Sequence, residues 1–180
     1  MTPADWLFST DRIGWRTWTE ADLPLARALW GSREVMALLH VDGRLDEDGV
    51  RARLAEEIEL QRAHGYQYWP IFDRASGAHL GCCGLRPKRP ELERLETGFH
   101  LLPSAWGRGL ATEAAQLVIR HAFEVVGARS LFAGHHPENV GSRRVLEKLG
   151  FRYDHHELYP ATQLQHPTYL LFPPGEPGSV

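Results

Sequence analysis

The chain has 180 residues, enough for one domain but not for two of ordinary size. Its formal net charge of -3 argues against a large nonspecific nucleic-acid surface, because such surfaces neutralise phosphates with lysine and arginine. The sequence shows no apolar run long enough to span a bilayer and no basic segment leading into an apolar one, so a cytoplasmic protein is expected. The only two cysteines, Cys82 and Cys83, are adjacent, which predicts buried thiols rather than zinc ligands.

Hydrophobic periodicity predicts that strands and helices alternate along the chain. Strands are expected at residues 12–18, 66–73, 79–85, 92–102, 130–135, 151–157 and 168–172. Helices are expected at residues 20–30, 47–64, 109–126 and 140–149. This order predicts a single α/β domain over residues 1–172, with a mixed central sheet of about seven strands flanked by helices. Residues 173–180 are expected to form a flexible tail.

Cap residues predict where several helices begin and end. Thr19 is expected to cap the first helix, which stops at Gly31. The second helix is expected to start after Asp46 and to stop before Gly65, and Gly127 suits the left-handed C-cap of the long third helix.

The turn before the third helix is the most informative segment. The first N–H groups of a helix have no partner within it, and small residues there let an anion approach the backbone closely. This pattern predicts a phosphate site at Gly107, Arg108, Gly109, Leu110, Ala111 and Thr112. A Walker loop is excluded because no Gly-Lys-Ser/Thr follows the glycines. A Rossmann fingerprint is disfavoured because Thr112 stands where glycine or alanine is needed, and no acidic residue ends the next strand. A coenzyme A site and a simple tight turn remain.

Several segments together carry a family resemblance. These are the turn, residues 139–151 (Asn-Val-Gly-Ser-Arg-Arg-Val-Leu-Glu-Lys-Leu-Gly-Phe), residues 18–23 (Trp-Thr-Glu-Ala-Asp-Leu) and residues 96–99 (Glu-Thr-Gly-Phe). In this order and spacing they resemble the GNAT N-acetyltransferase superfamily, in particular its RimJ/RimL-like branch, which acetylates the N-termini of ribosomal proteins. In the family's Gln/Arg-x-x-Gly-x-Gly/Ala pattern Gly109 and Ala111 match, whereas Trp106 replaces the leading residue.

The resemblance implies an acetyl-CoA-dependent N-acetyltransferase, in which a primary amine attacks the thioester directly. It implies that the central strands splay and that the coenzyme's pantetheine arm binds in the gap, to the N–H groups of Phe99, His100, Leu101 and Leu102, with Asn139 in contact with the arm. Asn139 is equally suited to cap the helix that follows it. Ser142 occupies the position proposed in this branch to hydrogen-bond the leaving thiolate, since Leu146 stands where many relatives have tyrosine.

Two residues compete for the role of general base. Glu96 matches a glutamate that many relatives place on the central strand, and alternation puts His100 on the same face. The competing interpretation of Glu96 is structural: an ion pair with Arg86 or Arg94, or a hydrogen bond that holds a loop.

The acceptor is expected to be a protein N-terminus or a small-molecule amine, entering between the first two helices and the last hairpin. The expected walls are Trp30, Met36, His40, Tyr159 and Trp69, each of which could equally belong to the core. No metal is expected, because adjacent histidines on a strand point to opposite faces. Neither an extended nucleic-acid surface nor a membrane partner is expected, and a homodimer is left open. The alternative function is a non-catalytic module that binds or senses acyl-CoA.

Overall fold

The computed structural model describes residues 6–175, in which eight strands form one mixed sheet. The strands are β1 (Phe8–Ser9), β2 (Ile13–Trp15), β3 (Tyr68–Asp73), β4 (His79–Arg89), β5 (Arg94–Leu101), β6 (Ser130–Gly134), β7 (Arg152–Tyr159) and β8 (Leu164–Leu171). Their order in the sheet is β1-β2-β3-β4-β5-β6-β8-β7. Neighbours pair antiparallel except β5 and β6, which are parallel. This is the predicted α/β fold with a mixed sheet, which is therefore confirmed.

Five α-helices flank the sheet: α1 (Leu23–Trp30), α2 (Arg33–Met36), α3 (Glu47–His64), α4 (Leu110–His121) and α5 (Val140–Lys148). Two hydrophobic clusters form the core. One contains Trp30, Val50 and Leu54 from α1 and α3, together with Tyr68 and Cys82 from the sheet. The other joins α4 and α5 to strand residues, including Leu110, Val118, Leu146, Trp69 and Leu131. Burial of these apolar side chains holds the two helical layers on the sheet.

The predicted helix ends are confirmed where a cap residue signals them. At the start of α3 the Asp46 carboxylate accepts a hydrogen bond from the Gly49 N–H at 2.8 Å. At its end Gly65 takes the left-handed conformation with φ 78°. Gly127 does the same, with φ 80°, although the turn before it, Ala122–Val126, is a π-helix rather than α-helix. Left-handed φ values favour glycine because it has no Cβ to clash.

Several elements differ from the prediction, each for a local reason. Thr19 does form a capping box with Asp22, but a 3-10 turn over Glu20–Asp22 precedes α1. β5 starts at Arg94 rather than residue 92, because Pro90–Leu92 form a 3-10 turn and Glu93 is left-handed. β1 and α2 were not predicted, since two and four residues are too short to show a period. The last five residues of the predicted tail, 176–180, lie outside the described region.

The two central strands separate after a short pairing. β5 and β6 are paired only at Arg94 with Ser130, Leu95 with Leu131 and Glu96 with Phe132. Beyond Glu96, β5 continues for five residues to Leu101 without a partner on its β6 side. This is the predicted splay, and it opens a gap in the middle of the sheet. Among the described helices, none combines the length and the apolar composition needed to cross a bilayer.

Candidate active site

The gap exposes backbone groups on one side of β5. The Leu102 N–H donates to the Leu80 carbonyl on the β4 side at 2.9 Å. Hydrogen-bonding groups alternate along a strand, so the N–H groups of Phe99 and Leu101 face the gap, while that of His100 faces β4. The Leu101 carbonyl fits this alternation, because it accepts from the Trp106 indole at 2.8 Å rather than from a strand. The prediction that the Leu102 and His100 amides bind a ligand in the gap is therefore wrong.

A bundle of free amides lies at the start of α4. Gly107 and Gly109 both have left-handed φ values, 69° and 73°, which let the chain turn tightly into the helix. Within residues 6–175, the N–H groups of residues 107–112 donate to no protein acceptor, and the first helical bond here runs from Glu113 N–H to the Gly109 carbonyl. These donors lie at the positive end of the helix dipole, so an anion is their natural partner.

The side chains around this turn brace it. Arg108 pairs with Asp73 at 3.3 Å, so its guanidinium points away from the groove and does not line it. The predicted phosphate contact of the Arg108 side chain is thus contradicted, and only its backbone N–H remains at the site. Glu113 in the first turn of α4 binds Thr10 and Arg12, which fixes the helix start to the β1–β2 hairpin.

A groove of about 610 Å³ runs from this turn along the gap. That volume lies in the range of small-molecule binding sites. Besides predicted residues, it is lined by Glu34, Val35, Leu38 and Leu39 of the α2 region and by Arg144 and Lys148 of α5. The α2 residues were missed because nothing in their sequence marks them as site residues.

A second, smaller cavity of about 110 Å³ adjoins the groove and is lined by residues of both β5 and β6. Glu96 lines it, together with Tyr68, Tyr159 and residues of β6 and β8. The two cavities share five lining residues: Leu39, Phe99, His100, Asn139 and Ser142. Molecules bound in the two cavities would therefore meet at the junction formed by these five residues, and Glu96 lines only the small cavity.

Glu96 is held by a tyrosine and not by an arginine. Its Oε1 accepts a hydrogen bond from the Tyr68 hydroxyl at 2.9 Å. Neither competing ion pair forms: Arg86 binds two glutamates of α3, at 2.7 and 2.9 Å, and Arg94 donates to Ser130 at 3.0 Å. The carboxylate is thus left at the wall of the small cavity.

His100 also lies at the junction, but its ring is already engaged. The Trp30 indole donates to His100 Nδ1 at 3.1 Å. Burial, with Arg53 and Arg86 nearby, lowers the pKa of His100 to about 3, so the ring is neutral at physiological pH. With Nδ1 accepting, the single proton is on Nε2. No lone pair of His100 is left to take a proton from an amine, which favours Glu96 as the base.

Asn139 and Ser142 meet at the start of α5. The Asn139 side-chain oxygen accepts from the Ser142 N–H at 2.9 Å, so the predicted N-cap forms. The Asn139 amide nitrogen and the Ser142 hydroxyl remain for a ligand in either cavity.

The predicted acceptor walls are only partly where we expect them. Tyr159 lines the small cavity, whereas Trp30 and Met36 are buried in the core and line neither cavity. Trp69 is buried on the other side of the sheet, and His40 instead accepts from the Asp42 N–H at 3.2 Å. Apolar residues that could be core or wall proved to be core, because helices α1 and α2 turn them inward.

The small cavity is more polar than its predicted walls. The polar lining residues that the sequence did not indicate include Lys88, His135, His136, Glu157, His166 and Thr168. Lys88 bridges β4 to β7 through Glu157 at 2.6 Å. In the described residues no group of three or more His, Cys, Asp or Glu side chains could hold a metal ion.

Comparison with known proteins agrees with this geometry. The family model described as "Acetyltransferase (GNAT) domain" matches residues 12–152. YkkB, an uncharacterized protein of Bacillus subtilis (strain 168), is 30% identical over 146 residues, which cover 80% of this chain and 84% of the relative. YjcK of the same organism, a "Probable N-acetyltransferase", is 31% identical over 119 residues, covering 66% of each chain. The solved structure of RimL, a ribosomal L7/L12 alpha-N-protein acetyltransferase, shares the fold with a TM-score of 0.78 at 15% identity, covering 93% of this chain and 94% of that one.

Proposed function

The chain belongs to the GNAT family of N-acetyltransferases, and from this premise we propose that it moves an acetyl group from acetyl-CoA to a primary amine. The acceptor is a protein N-terminus or a small-molecule amine, and the amine attacks the thioester directly. One observation carries the proposal: a groove edged by free backbone amides shares five lining residues with a second cavity, and the wall of that second cavity includes Glu96.

The residues of the groove fit the donor substrate. The free amides of residues 107–112 suit a diphosphate, and the Phe99 and Leu101 N–H groups suit an extended amide-containing arm that adds along β5. Acetyl-CoA supplies an activated acetyl group on a thiol leaving group. A backbone donor already in place beside the thioester carbonyl contributes about 3 kcal/mol to such reactions.

On the acceptor side, Glu96 acts as the base. An amine is mostly protonated at neutral pH and must lose a proton before it can attack. Glu96 lies at the wall of the small cavity, which adjoins the groove. At the junction of the two cavities, the Ser142 hydroxyl donates to the leaving thiolate.

The first experiment separates donor binding from chemistry. Coenzyme A should raise the melting temperature of the protein, whereas ATP and NAD should not, since only a ligand that binds the native state stabilises it. Release of free thiol from acetyl-CoA is then measured with a panel of N-terminal peptides and small amines. Stabilisation without thiol release for any amine would favour an acyl-CoA-binding module, and no stabilisation would reject the groove assignment.

The base is tested with Glu96→Gln, which keeps the size of the side chain and the contact with Tyr68. We expect kcat to fall about 100-fold while the Kd for coenzyme A stays unchanged, because proton transfer is lost and the groove is untouched. An unchanged kcat would remove Glu96 from the base role.

We also propose that the enzyme works in the cytoplasm, which suits the free buried thiols of Cys82 and Cys83.

A further inference from the structure

The Tyr68 side chain crosses the sheet toward the active site. In register, Tyr68 of β3 is opposite Gly84 of β4, which is opposite Gly98 of β5. A Cβ added to Gly98 would lie only 2.3 Å from the Tyr68 hydroxyl oxygen. Glycine at position 98 therefore makes the room in which the Tyr68 hydroxyl sits. From there the Tyr68 hydroxyl donates a hydrogen bond to Oε1 of Glu96, at 2.9 Å. Glu96 lies two residues before Gly98 on β5.

We propose that Tyr68 is a positioning residue for acetyl transfer: its hydroxyl holds one oxygen of Glu96 and leaves the other to take the proton of the acceptor amine. The inference rests on the proposed function of Glu96 as base. Among residues 6–175, Tyr68 is the only hydrogen-bond donor to this carboxylate, and both side chains line the small cavity. One oxygen is thus engaged by the protein, and the other is left for the acceptor.

The position of Tyr68 is itself fixed by a buried ionic network. Its backbone N–H donates to Glu57 Oε2 at 2.8 Å, and Glu57 is fully buried on α3. Glu57 is neutralised by Arg53 at 3.1 Å and Arg86 at 2.7 Å, and both guanidinium groups lie over the Tyr68 ring, 5.7 and 5.2 Å from its centroid. These contacts allow the Tyr68 ring little freedom. Because the Tyr68 hydroxyl is hydrogen-bonded to Glu96, the Glu96 carboxylate is held in a defined orientation as well.

The Tyr68 hydroxyl keeps its proton and can therefore donate it in the hydrogen bond to Glu96. Burial, together with the nearby Glu96 carboxylate, raises the pKa of Tyr68 well above its ordinary value. The charged and titratable groups that face it are Glu57 and Arg53 of α3, Arg86 of β4, and Glu96 and His100 of β5.

The test is Tyr68→Phe, which keeps the buried ring and removes only the hydroxyl. We expect kcat to fall about tenfold while KM for acetyl-CoA stays the same, because the hydroxyl contacts Glu96 and not the groove. In a Glu96→Gln background, Tyr68→Phe should cause no further loss, because its effect passes through the ionised carboxylate. Tyr66→Phe is the matched control: this tyrosine is also buried but contacts His64, and it should leave kcat and KM unchanged.

A second variant reaches the same hydrogen bond from the other strand. Gly98→Ala should displace the Tyr68 hydroxyl and reproduce the lower kcat at unchanged KM for acetyl-CoA. Tyr68→Phe with wild-type kcat, alongside a slow Glu96→Gln, would overturn the role of Tyr68 and leave Glu96 as base. An equal loss from Tyr68→Phe in both backgrounds would also overturn it, since that result describes a structural effect. A fully active Glu96→Gln would instead overturn the proposed base.

Discussion

Gly109→Glu should abolish useful coenzyme binding without unfolding the protein. Gly109 lies at the N-cap of α4, lines the groove and belongs to the segment of free amides. A Cβ there meets only Arg12, at 4.0 Å, so the new side chain has room beside the phosphate site. A carboxylate about 5 Å from one phosphate charge repels it by about 3 kcal/mol at an effective dielectric constant of about 20. Because about 1.4 kcal/mol corresponds to a factor of ten, coenzyme A should bind about 100-fold more weakly.

The conformational cost must be separated from the charge. Gly109 has φ 73°, a left-handed conformation that costs any other L-residue about 1–2 kcal/mol. Gly65→Glu carries the same penalty, because Gly65 has φ 78° and open space around it, but it ends α3 and does not line the groove. Both variants should lose similar stability in urea unfolding, whereas only Gly109→Glu should lose affinity in calorimetric titration. Wild-type affinity in Gly109→Glu would show that the diphosphate binds elsewhere.

Three further predictions concern the junction and the core. Ser142→Ala should lower kcat about tenfold at unchanged Kd for coenzyme A, because a hydrogen bond to a charged group contributes about 1.5–3 kcal/mol. Steady-state rates measure kcat and calorimetric titration measures Kd. A wild-type kcat would exclude Ser142 as the donor to the leaving thiolate. Glu57→Gln should reduce the free energy of unfolding by about 3 kcal/mol in urea, since it leaves Arg53 without its counter-charge and Arg86 with only the exposed Glu56; a change below about 1 kcal/mol would contradict this. Burial lowers the pKa of His79 to about 4 in the folded protein, so as pH falls the unfolded chain takes up this proton first. The free energy of unfolding should therefore fall as pH drops from about 6.5 to 4, by at most about 3 kcal/mol. His79→Gln should flatten that slope when unfolding is measured as a function of pH. An unchanged slope would assign the effect to other groups.

The parts of the fold that the sequence predicts well are those fixed by short-range chemistry. Asp46 and Gly65 mark both ends of α3 because a carboxylate can cap the first turn and glycine can take a left-handed conformation. The turn at Gly107 and Gly109 is recognisable for the same reason, since its conformation and its free amides depend on adjacent residues. The short elements β1 and α2 give no such signal, because their conformations depend on the strands and helices they contact.

The chemistry of the site depends more on contacts between distant residues. Nothing near Glu96 in sequence indicates that its partner is Tyr68, 28 positions away, and arginines nearer in the chain are the more obvious candidates. The same holds for Arg108, whose side chain is drawn to Asp73 on β3. Alternation along β5 excludes the Leu102 amide from ligand binding only when the direction of one N–H group is known. The hydrogen bond from Leu102 to Leu80 in the structure supplies that direction. Which tryptophans are core and which are wall likewise depends on packing between helices.

The brief pairing of β5 with β6 has a mechanical consequence. Three residue pairs between β5 and β6 join the five strands on one side of the sheet to the three on the other, and all three pairs lie at one end of these two strands. An extended ligand arm that hydrogen-bonds in the gap between β5 and β6 would add a connection between the two parts of the sheet. Donor binding should then stiffen the molecule far beyond the groove, and amide hydrogen exchange should slow in β6 and β8 as well as in β5.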